Sequence, residues 1–210
     1  MNKKKIIIAS LVLLLVFAVG GAIAYFTDTD TKTNTFTVGN VDITLTEEHW
    51  STTDANGNNI PDAAENISPG VTVAKDPVVT NVSATAPAYV YAKVEIPCST
   101  AVTTPEVIPA KEIFTLNSIG SGWNLMNDGA CDNGVATKVY NYGTASAMTA
   151  LAAGSATPAV FANVTLNNAI TGSEQGLSGN KNVVVTGYGV QTTGLTANTP
   201  SGIWTEVSFS

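Results

Sequence analysis

In "TFTVGNVDITL", residues 35–45, apolar side chains fall at every second position, change parity once, and resume. Phe36 and Val38 share one face, and beyond Gly39-Asn40 the residues Val41, Ile43 and Leu45 continue on the opposite parity. Successive side chains of a strand point to opposite faces, so a one-residue insertion at Gly-Asn keeps all five apolar groups inward. The stretch therefore reads as a β-strand carrying a bulge.

Short runs of the same kind recur at "VVTNVS" (78–83), "AYVYAKVEI" (88–96), "EIFTL" (112–116), "GWNLM" (122–126), "ATKVYNY" (136–142), "VFANVTL" (160–166) and "NVVVTGYGVQ" (182–191), bounded by Gly, Pro and Asn. That pattern predicts an all-β sandwich or barrel, and about eight strands imply two packed sheets. "ASAMTALAAG" (145–154) supports two readings, a short helix ended by Gly154 or a small-residue connection between sheets. No second domain and no internal repeat is marked.

The amino terminus sets the compartment. Lys3, Lys4 and Lys5 precede the uncharged run "IIIASLVLLLVFAV", which is followed by Gly20-Gly21 and the small-x-small triplet Ala22-Ile23-Ala24. This is the order of a secretory signal peptide, with residues 1–24 removed and cleavage between Ala24 and Tyr25. The alternative is a retained anchor, since Ile6 to Ala24 approaches the roughly 20 residues a spanning helix needs. Cleavage leaves membrane contact to the signal alone, before processing. It also leaves six lysines against sixteen acids, a formal charge of −10 where the whole chain has −7, and arginine is absent. Such a chain has no basic footprint for phosphates, which excludes nucleic acid as a partner.

Cys98 and Cys131 fit an oxidising compartment and are most simply one disulfide, worth roughly 3–4 kcal/mol for a loop of about thirty residues. A nucleophilic cysteine would need a partner histidine, and the chain has only His49. In "DANGNNIPDAAE" (54–65), Asp54, Asn56, Asn58, Asp62 and Glu65 occupy positions 1, 3, 5, 9 and 12 of a twelve-residue loop, and Ile60 at position 7 can offer its carbonyl. These are the oxygen-ligand positions of a calcium loop, and calcium is the one cofactor expected. Asn59 stands where glycine usually makes the sharp turn, and Asn58 replaces an acid. An ordinary Asx-rich surface turn is the alternative. Asn66, Asn81 and Asn163 fall in glycosylation-acceptor triplets, as an Asn- and Thr-rich chain produces by chance. Trp50, Trp123 and Trp204 with Tyr140, Tyr142 and Tyr188 are read as packing residues with a polar handle, the alternative being a binding surface.

"GGAIAYFTD", the Thr-rich run, "FTVGNVDITL", "ISPGVTVAKDPVVTNVSATAPAYVYAKVEI", "GWNLMNDG", "KVYNYG", "LAAGSATPAVFANVTL" and "GYGVQTTG" together resemble the TasA and camelysin family, exported proteins processed by the SipW-type signal peptidase. The resemblance implies a jelly-roll β-sandwich over residues 38–210, secreted or held at the cell surface. It also implies that the mature segment 25–37 is donated as a strand to the next subunit, building biofilm-matrix fibres. The partners are then further copies of the chain, the signal peptidase, and other matrix proteins. Tyr25, Phe26 and Phe36 are the assembly residues so implied, and a disordered mature terminus is the plain alternative. Camelysin-like relatives carry a rival function, a cell-surface metallopeptidase. One histidine cannot supply the paired imidazoles of a His-Glu-x-x-His zinc site, and no catalytic residue is expected. A third reading is a calcium-dependent surface adhesin.

Overall fold

The computed structural model describes residues 41–50, 53–58, 60–102, 107–170 and 177–207. The signal, the candidate donor segment and the Gly39-Asn40 bulge lie outside the described residues. Among those described, nine strands and one α-helix form: β1 (Ile43–Glu47), β2 (Thr72–Ala74), β3 (Pro77–Asn81), β4 (Ala88–Pro97), β5 (Phe114–Ile119), β6 (Trp123–Asp128), β7 (Val135–Tyr142), β8 (Phe161–Leu166), β9 (Val184–Gln191) and α1 (Pro200–Val207).

One sheet has the order β6-β7-β4-β9, and two smaller ones are β2-β8-β5 and β1-β3, all antiparallel. The smaller pair merge into a single layer. The residues leading into β8 bond to β3, with Val160 N to Pro77 O at 2.8 Å, Thr157 N to Val79 O at 2.9 Å and Asn81 N to Ser155 O at 2.9 Å. The layer order is then β1, the bent β2–β3 stretch, β8, β5. Five of the connections (β3 to β4, β4 to β5, β5 to β6, β7 to β8 and β8 to β9) cross between layers, the interleaving expected of a sandwich wound as a jelly roll.

The sandwich follows from alternation. Along β4 the even positions Ala88, Val90, Ala92, Val94 and Ile96 are fully buried, and they meet Val73, Val79, Phe114, Phe161 and Val164 of the opposite layer in one cluster. On the other face of β4, Tyr89, Lys93 and Glu95 are half-buried while Tyr91 is fully buried, because α1 lies over it. Trp204 of α1 meets Tyr91 and Tyr188 edge-on at 5.2 and 5.3 Å between ring centroids. The helix begins on Thr199, whose hydroxyl accepts from Gly202 N at 3.2 Å, with Pro200 in its first turn. Trp123 is buried edge-on against Tyr142, and Tyr140 is buried in the core.

The predicted strands are present with shifted ends, the largest difference being β5, which begins two residues later and runs three further than "EIFTL". Val41, Ile43 and Leu45 all pack toward the core as the alternation requires. The structure settles residues 145–154 as a connection. Leu151 exchanges backbone hydrogen bonds with Ala88, and Thr149 N bonds to Tyr142 O at 2.8 Å, so the neighbouring strands take the donors a helix would use. At Ser68-Pro69-Gly70-Val71 the Val71 N to Ser68 O bond (3.0 Å) closes a turn in which Gly70 has φ +86, the left-handed value the third turn position demands.

Candidate functional site: a polar loop and a charged clasp beside the first strand

β1 is followed by a segment dense in short polar side chains, which bond readily to their own backbone. Asp54 Oδ1 accepts from Gly57 N (2.8 Å) and Asn58 N (3.2 Å), Asn56 Oδ1 accepts from Asn58 N (3.1 Å), and Asn58 Oδ1 accepts from Ile60 N (2.8 Å). Asp62 Oδ1 takes Ala55 N at 3.0 Å and so closes the loop. Glu65 then draws in both amides, Asn56 Nδ2 at 2.9 Å and Asn58 Nδ2 at 2.5 Å on one carboxylate oxygen. The structure thus gathers Asp54, Asn56, Asn58, Ile60, Asp62 and Glu65 into one loop, while Asn59 lies outside the described residues. A cleft of about 1090 Å³ opens beside it, lined by Asn58, Glu65, Ile67, Phe114, Leu166 and Leu177 among others.

Two ion pairs fasten the end of β1 to the bend between β2 and β3. Lys75 Nζ meets Glu47 at 2.7 and 2.9 Å, with the Lys75 side chain only 10% exposed, and the ammonium lies 5.0 Å from the centroid of the Trp50 ring. His49 donates its backbone N–H to Asp76 Oδ1 at 2.9 Å and meets Asp76 Oδ2 through Nδ1 at 2.5 Å. The side-chain hydrogen bond and then the charge of Asp76 raise the His49 pKa. Burial of Asp76 works in the other direction, but the bonds from the His49 ring and backbone outweigh it, and its carboxyl stays below its ordinary value. The two shifts agree on a charged pair. Sequence reasoning named His49 and Trp50 and missed Asp76 and Lys75, whose partners are brought in by the β1–β3 register from 27 and 28 residues away.

On the opposite side, Lys138 of β7 bonds Asp128 of β6 and lies 2.8 Å from Glu112. Cys98 and Cys131 form a disulfide across 33 residues, with Cα atoms 5.9 Å apart. Asn81 is fully buried, its Nδ2 held by the carbonyls of Ala86 and Leu151 at 2.9 and 3.0 Å, so that acceptor triplet is structural. Ala24, Tyr25, Phe26 and Phe36 lie outside the described residues.

The donor set can be tested against zinc directly. The chain has one histidine, already bonded to Asp76, and two cysteines, both in the disulfide. Among the described residues no three His, Cys, Asp or Glu side chains are grouped to hold a metal. A histidine-based zinc centre does not fit these residues.

The fold is an all-β sandwich, and the polar loop and the charged clasp lie in connections beside its first strand. A family model described as camelysin metallo-endopeptidase matches residues 2–103, just under half of the 210, so over that span the resemblance to the TasA and camelysin family is shown. No curated protein and no solved structure matches the chain.

Proposed function

We propose that the chain is an exported structural subunit that assembles with itself into extracellular or cell-surface fibres of a biofilm matrix. The observation that carries this reading is the joining of two parts: a signal-like start with a Thr-rich segment, and a disulfide-linked sandwich whose first strand is fastened at its far end. In it the SipW-type peptidase cleaves between Ala24 and Tyr25, and residues 25–37 are donated to a neighbouring copy. Tyr25, Phe26 and Phe36 anchor that segment, whose main chain bonds to a sheet edge. Other matrix proteins are further partners.

Calcium belongs to this reading as a stabiliser of residues 54–65. The loop carries the carboxylates of Asp54, Asp62 and Glu65, and oxygen donors are what calcium takes. An adhesin that works as a calcium-loaded monomer is the related alternative.

The family's name favours a second reading, a metallo-endopeptidase. It requires a metal centre other than the histidine-based one tested above.

Electron microscopy with light scattering tests the first reading, comparing protein that begins at Tyr25 with protein that begins at Gly39, with and without calcium. Fibres from the longer chain alone are expected. Monomers from both in either condition would sink the fibre reading, and casein cleavage lost to a chelator would put the peptidase in its place.

A further inference from the structure

Two hollows adjoin beside the polar loop. The cleft of about 1090 Å³ described above and a smaller chamber of about 290 Å³ share Ile60, Ala64, Ile67, Phe114, Asn180 and Lys181 in their walls. The chamber reaches into the sandwich: Val73 of β2 and Val164 of β8 wall it on one side, and Val183, the residue before β9, walls it too. Val73 and Val164 are buried, and Trp50, Ile67 and Val183 pack against the same cluster. An apolar group placed there would extend the core and leave water.

The charge of the chamber runs against that of the chain. The protein has sixteen acids and nine lysines, yet among the described residues the chamber is lined by Lys75 and Lys181 and by no acid. Glu65 lines only the outer cleft. Lys75 is paired with Glu47, as Lys93 is with Glu95 and Lys138 with Glu112, and Lys111 donates to the carbonyl of Ala169 at 2.9 Å. Among the described lysines Lys181 alone has no ion pair or hydrogen bond. A hollow with low-dielectric walls and charge of one sign concentrates its field on a ligand of the other sign. Asn180 and Asn182 add amide donors beside that ammonium.

We propose that this hollow binds an apolar monocarboxylate of the fatty-acid kind. Its hydrocarbon lies among Val73, Val164 and Val183, and its carboxylate meets Lys181. One unpaired ammonium answers one negative charge, and mostly apolar walls with a few polar groups are the usual make-up of a small-molecule site. Phosphate or sugar would leave those walls unused. The site is separate from self-assembly and stands without it.

Calorimetric titration of the full chain with monomeric dodecanoate tests this, beside dodecyltrimethylammonium, which has the same tail and the opposite charge. Saturable binding of dodecanoate is expected, with the ammonium compound weaker by about tenfold or more. Lys181→Gln should weaken dodecanoate by about tenfold, the loss of one charge-assisted bond. Ala64→Trp, at a half-buried position that lines both hollows, should abolish binding while the β-sheet circular dichroism spectrum stays the same. Uptake by the N-terminal run "IIIASLVLLLVFAV" would survive both substitutions. Binding that survives them, equal affinity for the two compounds, or no binding at all overturns the assignment.

Discussion

Tyr91 donates its hydroxyl hydrogen to the carbonyl of Pro200 at 2.8 Å, tying the middle of β4 to the first turn of α1. Burial raises the pKa of this phenol, which keeps the donor protonated across ordinary pH. Tyr91→Phe leaves a buried carbonyl without that partner and should cost about 1–2 kcal/mol, read from denaturant unfolding. Near-UV circular dichroism should change with it, because Trp204 packs on the same ring. Unaltered stability and spectrum would mean that α1 does not depend on this bond.

The disulfide closes a loop that includes β5 and β6. Replacing Cys98 and Cys131 together by serine should lower stability by about 3–4 kcal/mol, with the same β-sheet circular dichroism spectrum in the absence of denaturant. Equal midpoints for both proteins would argue that the bond contributes little.

Two glycines of β9 should respond differently to the same change. A Cβ at Gly189 meets Ile43 and Val41 at 2.8 Å, while one at Gly187 finds Ile43 no closer than 3.4 Å. Gly189→Ala overpacks the β1–β9 seam and should cost about 1–3 kcal/mol, whereas Gly187→Ala should be neutral or stabilising. Thermal melts of the two variants side by side decide it, and a larger loss at Gly187 would contradict the seam.

The His49–Asp76 pair gives the clasp a pH dependence with a definite sign. His49 has a raised pKa, so its contribution is complete below the ordinary histidine value of 6.5 and is lost as pH rises through the folded value. Asp76 has a lowered pKa, so its contribution is present above the ordinary 3.8 and is lost as pH falls through the folded value. The pair is strongest between those limits. Stability measured from pH 4 to 8 should show an upper limb that flattens in His49→Ala. An identical limb in the variant would assign the dependence to other groups.

Strands were legible where burial on one face forces alternation, as in β4 and in Val41-Ile43-Leu45. β5 was displaced because "EIFTL" begins with Glu112 and Ile113, which pair back toward Cys98 and Pro97 before the ladder with β8 starts. α1 was overlooked, although Thr199-Pro200 is a helix-start signal, because Gly202 and β-branched Ile203 and Thr205 lower the propensity of the turn that follows. Its helicity comes from tertiary packing on Tyr91 and Val190. At the polar loop, the short side chains of Asp54, Asn56, Asn58 and Asp62 bond backbone N–H groups of the same loop, as an Asx-rich stretch does. Nothing local announced the clasp, since Lys75 and Asp76 reach β1 only through strand pairing.

Interleaving has a consequence for the order in which the chain can fold as it is made. β4 lies between β7 and β9, and the β2–β3 stretch needs β8 for its second neighbour. When the first hundred residues have emerged, β1 and β3 have each other to pair with, a combination too small to be stable alone, but β4 has neither partner. Cooperative folding must wait for β9, about ninety residues later. Such a chain stays open to threading through a narrow channel until nearly all of it has passed.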